Sequence, residues 1–315
     1  MVQALAELVE ALRSSSGWQA KADIAVVRAV LGESDWVRGP GDDGAAVRVG
    51  GEEVIACGEA ILPAFVEHDP YGAGVAAVLT NVNDVAAMGA VPLAIVDTVV
   101  GPHETCRAVL EGMHFASALY DVPVVGGHLT KSADRVALSA FALGRCPGRP
   151  LSATRVAPGQ TLALVVCLEG RMRRDFPFFP SFDERGSRLA GDVRLLADLA
   201  AGGVVEAAKD VSMAGLFGSM AMLLEATRCG ASIPVAAVPV PPGIDFGAWS
   251  LCFPCFAFLV TMAPENEARC RDAVERRGLA YATLATVDGS GVLELVDGGD
   301  AAMLVDLNAD GITGL

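Results

Sequence analysis

Two adjacent carboxylates, Asp42 and Asp43, stand in a glycine-rich stretch, Gly39-Pro40-Gly41-Asp42-Asp43-Gly44-Ala45-Ala46-Val47, directly ahead of a strand pattern. Neighbouring carboxylates repel, and a bridging divalent cation makes such a pair favourable. A turn carrying a solvated acidic pair is the alternative. A second stretch, Thr80 to Pro92 (TNVNDVAAMGAVP), sets Asn81 and Asp84 three residues apart on one face of a small-residue helix. Polar groups in so apolar a helix need partners, because burial without them costs several kcal/mol, on the order of 2–7. A metal on Asp84 or a helix-packing polar pair would each supply one. A third, Val124-Val125-Gly126-Gly127-His128-Leu129-Thr130, reads as a strand running into a paired-glycine loop, where backbone can approach a phosphate closely. There His128 can bond a phosphate oxygen, a metal or a backbone carbonyl. The fourth, Lys209-Asp210-Val211-Ser212-Met213-Ala214-Gly215-Leu216-Phe217-Gly218, carries Asp210 from a strand end towards a helix whose N-terminus suits an anion. Asp210 as a simple N-cap is the bland reading.

The elements that position these residues follow from periodicity. Strand-like VIAC precedes a helix from about Gly72 to Met88, then PLAIVDTVV, a helix from about Glu104 to Tyr120, VPVV and a strand near Val136 to Leu143. This half is α/β. The turn-rich run from Cys146 to Gln160 breaks the pattern, so we place a domain boundary near Pro150, with domains at 1–150 and 151–315. The second half begins with TLALVVCL and continues with EGRMRRDFPFFPSFDERG, too irregular for helix or sheet. Exposure of its Phe176, Phe178, Phe179 and Phe182 would mark a contact surface. Leu189, Val193, Leu196 and Ala200 then share a helical face. Strand VVEAA, a helix from about Ala214 to Arg228, strand CFAFLV, a helix from about Pro264 to Arg277 and two closing strands complete an α+β half.

Composition restricts the function. The 315 residues are 52% hydrophobic, enough for a sizeable core, and carry a formal net charge of −15. That charge excludes nucleic acid and anionic membrane as favoured partners. The uncharged run Phe246 to Pro264 is interrupted by Gly247 and Pro254 and reads as a buried strand with its approach loop. The N-terminal MVQALAELVEALRSSS has the spacing of an amphipathic helix, with Glu7 and Glu10 where a signal peptide would be apolar. Eight scattered cysteines suit a reducing, cytoplasmic setting, and Cys252 and Cys255 lack the second pair that a zinc site needs.

In order and spacing, the four stretches together resemble the AIR synthase-related superfamily, which includes thiamine-monophosphate kinase, selenophosphate synthetase and a carbamoyl-dehydrating hydrogenase maturation protein. GDDGAAV is similar to its GDDAAV, NVNDVAAMGAVP to its helix motif ending D-x-x-A-M-G-G/A-x-P, GGHLT to its G-G-[DEH]-[ST], and DVSMAGLFG to its D-V-[ST]-x-x-G-L-x-G. The resemblance implies a PurM-like two-domain fold: an α/β N-terminal domain with a β-barrel-type dimer interface, and an α+β C-terminal domain. It implies ATP and Mg²⁺ as cofactors, a small-molecule phosphoryl acceptor and a homodimer. By motif position, Asp42, Asp43, Glu59, Asp84 and Asp210 would hold metal. Gly41, Asn81, Asn83, Gly126, Gly127, Thr130 and Lys209 would bind nucleotide, and Asp84, Asp210 and His128 would form the catalytic set.

Departures from the members guide the choice among them. GGH and the segment FVEHDPYGAG look most like selenophosphate synthetase, yet no cysteine precedes Cys57 and Lys21 stands alone, which disfavours selenide activation. Glu59, His128 and Met213 stand near positions where thiamine-monophosphate kinase has carboxylates. The ending ADGITGL lacks the cysteine tail of the carbamoyl-dehydrating branch. The expectation is therefore a separate branch that binds Mg-ATP and transfers a phosphoryl group. A catalytically reduced dimeric ATP- or metabolite-binding module, acting as a partner or regulator, is the alternative.

Overall fold

Alternation of apolar and small residues over residues 45–145 produces one five-stranded sheet in the computed structural model, which describes residues 2–31 and 41–314. Its strands are β1 (Ala45–Val49), β2 (Glu52–Ile61), β3 (Val91–Gly101), β4 (Val124–Lys131) and β5 (Ala137–Arg145), in the order β1-β2-β5-β3-β4. All neighbours are antiparallel except β3 and β4. The sheet is open, with edges β1 and β4, and no barrel closes within the chain's described residues.

This sheet belongs to the first of two units, Asp43–Pro150 with Arg185–Ala201; the second comprises residues up to Asp42, Leu151–Glu184 and Gly202–Leu315. In the first unit, helices Pro70–Ala87 and His103–Tyr120 lie on one face of the sheet. They pack backbone to backbone: a Cβ on Gly74 would collide with the Val109 carbonyl, and one on Gly112 with the Tyr71 carbonyl. The apolar face read from Leu189 to Ala200 is buried in this unit, although the helix is split into Arg188–Asp192 and Leu195–Ala201. Arg185 and Asp192, both buried, close the segment with an ion pair of 2.6 Å.

The second unit holds β6 (Thr161–Val166), β7 (Phe178–Phe179), β8 (Ala207–Asp210), β9 (Ala231–Pro234), β10 (Phe253–Pro254), β11 (Ala257–Met262), β12 (Ala280–Thr286), β13 (Val292–Asp297) and β14 (Asp300–Asp306). They form sheets ordered β12-β6-β11-β8, β14-β13-β9 and β10-β7. Helix Gly215–Glu225 buries Leu216, Phe217 and Met220 in the same core as Leu164 and Leu259. The amphipathic N-terminal helix, Val2–Ser14, adds Leu5, Val9 and Leu12 to that core. Trp18 then lies over Gly218, and Gly17 abuts the Met213 carbonyl where no Cβ would fit.

Several element expectations change. The strand read as VVEAA starts at Ala207 and runs through Lys209 and Asp210, because backbone pairing to β11 extends to Phe258. Phe246–Leu251 is a helix rather than a loop, capped by Asp245, whose carboxylate accepts the Ala248 N–H at 3.0 Å. The Phe-Pro stretch is not an exposed contact surface: Phe178 and Phe179 are buried in the β7–β10 ladder, and Phe176 and Phe182 are half-buried. The burial follows from ring packing, with Phe176 and Phe178 each near 5 Å from Phe253 (5.2 and 5.3 Å). All eight cysteines are free thiols; burial pushes Cys252 and Cys255 up to about 12, which makes them inert. Among the described residues, no helix is long and apolar enough to cross a membrane.

Candidate metal and nucleotide site

Helix Pro70–Ala87 carries most of the candidate chemistry, and its ends are set by local rules. Asp69 caps it by accepting the Gly72 N–H at 2.8 Å, and Pro70 occupies the first turn. Gly89 takes φ +68° and donates to the Ala86 carbonyl at 2.9 Å, ending the helix at the Met-Gly step of the motif. Ala73, Ala77 and Ala86 allow close packing on the sheet, and thirteen of its eighteen residues are buried, so Asn81, Asn83 and Asp84 are buried with them.

The buried polar face meets β2. Asn81 donates its amide N–H to the Ala77 carbonyl at 2.8 Å, and the Cys57 thiol approaches the Asn81 carbonyl and Oδ1 at 3.5 Å each. Burial, then the carboxylates of Asp84, Glu59 and Asp43, push the Cys57 thiol far above its ordinary range. A carboxylate oxygen of Asp43 lies within 4.8 Å of one of Asp84, an all-oxygen donor pair suited to a hard cation such as Mg²⁺. Glu59 lies two residues beyond Cys57 on β2, hence on the same face, and is exposed.

The other predicted residues take different places. Gly39 and Pro40 lie outside the described residues, and Gly41 has φ +101°. Asp42 accepts the Ser152 hydroxyl and the Ala153 N–H, both at 2.7 Å, so its two oxygens hold the turn at Ala153–Arg155. Gly126, Gly127, His128 and Thr130 are not in a loop: they lie within β4, whose parallel ladder to β3 runs from Val124 to Lys131. Register pairs His128 with Thr98 and Thr130 with Val100, which puts both on the sheet face away from Cys57 and Asn81. In the second unit, Lys209 and Asp210 are both buried at the end of β8, with the ammonium 3.7 Å from the carboxylate. Helix Gly215–Glu225 starts five residues later, so Asp210 is not its N-cap; the Ser212 N–H instead donates to Ser219 Oγ at 3.1 Å.

One acidic residue escaped the sequence reading. Asp97, inside the apolar run PLAIVDTVV, is 8% exposed, and its carboxylate makes no hydrogen bond or ion pair to any described residue. Its carboxylate lies over Gly127, where a Cβ would overlap it, and burial raises its pKa above the ordinary 3.8. A charge breaking an otherwise continuous apolar strand was the available signal.

Comparison with known proteins places the chain. Residues 41–146 match the family described as AIR synthase related protein, N-terminal domain, and residues 183–298 match its C-terminal domain. The chain is therefore a member of the AIR synthase-related family. The uncharacterized protein sll0787 of Synechocystis is 31% identical over 318 residues, covering 98% of both chains. Among solved structures, Thermotoga maritima PurL complexed with ADP superposes with a TM-score of 0.74 at 20% identity, over 86% of this chain and 46% of PurL. AaThiL complexed with AMPPCP and TMP gives 0.68 at 17% identity, over 89% of this chain and 95% of that one. At these identities the likeness establishes the two-domain fold.

Proposed function

We propose that the protein binds Mg-ATP and transfers a phosphoryl group to a small-molecule acceptor. The observation that carries this reading is the approach of Asp43 and Asp84 within 4.8 Å at two motif positions of the family. Their oxygens would hold Mg²⁺, with Glu59 on the same sheet face as a further ligand and Asp210 assigned to the metal set by motif position. When bound, the metal would supply charge neutralisation for the polyphosphate, which an acidic chain otherwise repels. PurL with ADP and AaThiL with AMPPCP support a nucleotide as the ligand class.

The chain's own residues have separable tasks in this reading. Asp84 is fixed by a helix packed too tightly to shift, so its carboxylate is preorganised. Asn81 shares the helix face of Asp84, and Gly41, Asn83, Gly126 and Gly127 would contact nucleotide as the resemblance assigns; Thr130, which the resemblance also assigns, lies with His128 on the other sheet face. Lys209 neutralises Asp210 within a buried strand and would orient it. No general base stands out, and loose phosphoryl transfer depends mainly on positioning and charge. His128, on the other sheet face, would act only through a ligand reaching that side. We assign nucleotide binding to residues 1–150 and the α+β role to 151–315.

The bare sheet face supports the homodimer. Phe141 and Val96 pair across strands, as do Leu143 and Ala94, and Phe141, Leu143, Val96 and Val47 are 48%, 48%, 41% and 49% exposed. An apolar patch of this kind fits a protein-contact surface, and in this reading a second copy would complete a barrel across it. The test of the activity is nucleotide turnover with a panel of phosphate- and carboxylate-bearing acceptors. Acceptor-dependent ADP or AMP release, requiring Mg²⁺ and lost in Asp84→Asn, is expected; release unaffected by that substitution would refute the reading.

A further inference from the structure

The segment Gly170–Ser181 forms a closed strap on the second unit. Its base is fixed: a Cβ on Gly170 would collide with the Pro180 carbonyl, and Phe179, fully buried, meets Trp249 edge-on at 5.2 Å. The Phe253 N–H donates to the Pro177 carbonyl and the Cys255 N–H to the Phe179 carbonyl, both at 3.0 Å. The Arg173 N–H donates to the Phe178 carbonyl at 2.9 Å, and its guanidinium makes a two-pronged contact with Asp175 at 3.1 and 2.7 Å. The strap is thus held in shape without using Arg171 or Arg174.

Those two arginines are exposed and make no hydrogen bond or ion pair to any described residue, although Glu169 and Glu184 bracket the strap. In a chain with 38 acidic against 23 basic residues, two unpaired guanidiniums on one rigid turn are a local excess of positive charge. Between them and the ladder, Phe176 is half-buried, its ring edge-on to Phe253 at 5.2 Å. Strand topology fixes where the strap emerges. Strands β6 and β8 both run antiparallel to β11, so they are parallel to each other, and the strap leaves the end of β6 at the sheet end where Asp210 terminates β8.

We infer that the strap is the acceptor-recognition element, with Arg171 and Arg174 binding an oxyanion and the Phe176–Phe253 pair receiving a flat apolar body attached to it. The acceptor is thereby an anionic, ring-bearing small molecule, not a bare inorganic ion. Guanidinium forks match carboxylate and phosphate geometry, and an adjacent ring edge adds apolar contact that an inorganic ion cannot use. This deepens the proposed transfer reaction and rests on that reading.

Calorimetric titration with phenyl phosphate, benzoate and inorganic phosphate tests it, with and without Mg²⁺ and a non-hydrolysable ATP analogue. Wild type is expected to bind phenyl phosphate or benzoate at least tenfold more tightly than inorganic phosphate, and the preferred one identifies the oxyanion. Arg171→Ala/Arg174→Ala should weaken that ligand at least tenfold with an unchanged melting temperature and nucleotide affinity. Phe176→Ala should remove the preference over inorganic phosphate. No binding of either ring-bearing anion, or equal binding by the double arginine variant, would overturn the inference. Loss of the nucleotide reading alone would appear separately, as analogue binding that Asp84→Asn leaves intact.

Discussion

The two faces of the five-stranded sheet are made by the same strands yet differ in what they lack. Towards the helices, Ile55, Ile95, Val99, Leu138, Ala140 and Ala142 are buried by the chain itself, with the candidate cation site beside them. On the opposite face, Phe141 lies across Gly58, where a Cβ would collide with its ring, and Val47, Val96 and Leu143 remain open. Strand alternation sends successive residues to opposite sides, so one strand such as β2 serves both faces. The covered face has its apolar residues buried by the chain's own helices, whereas the bare face leaves Phe141, Leu143, Val96 and Val47 open, the surface on which the proposed dimer rests.

Substitutions separate the two. Gly74→Val drives a side chain into the Val109 carbonyl, and backbone cannot yield cheaply; a loss of about 3 kcal/mol is expected, read by denaturant unfolding. The covered face should fail there while the bare face keeps its residues. Conversely, Phe141→Arg should weaken self-association about 100-fold, or about 2.7 kcal/mol, in sedimentation velocity, leaving the melting temperature of the monomer nearly unchanged. Gly127→Ala places a Cβ against the Asp97 carboxylate and should cost about 2 kcal/mol, detectable as a lower unfolding midpoint.

The smallest expected effect belongs to Asp97→Asn. Burial raises the folded-state pKa of this acid, so the folded state holds the proton more tightly than the unfolded chain. Ionisation therefore costs stability as pH rises through the interval above 3.8, and below it the cost disappears. The Asn variant should be slightly more stable than wild type at neutral pH in urea unfolding, with the gap closing in acid. A variant less stable than wild type at pH 7 would mean that the carboxylate is a structural anchor.

Much of this was legible in the residues. Helix Pro70–Ala87 announces itself by its cap, its small residues and the glycine that ends it, and the four motifs carry the family. The paired glycines of β4 misled because glycine suggests a loop, whereas here Gly127 clears space for Asp97 within a ladder. The Phe-Pro strap looked irregular, since a two-residue strand has no period and its partner, Phe253, lies more than seventy residues on. Asp42 and Asp43 are neighbours in sequence, yet only contacts far along the chain reveal that Asp42 holds the Ser152 turn. The attachment of the N-terminal helix to the second unit is likewise a tertiary fact, written in Gly17, Trp18 and Gly218 only once they meet.

The central claim is that Asp43 and Asp84 form a cation site through which nucleotide binds. Calorimetric titration with a non-hydrolysable ATP analogue, with and without Mg²⁺, on wild type and Asp84→Asn tests it most directly. Mg²⁺-dependent binding is expected in wild type, weakened at least 100-fold in the variant with its melting temperature retained. Binding indifferent to Mg²⁺ or to the substitution, or no binding by wild type, would contradict it.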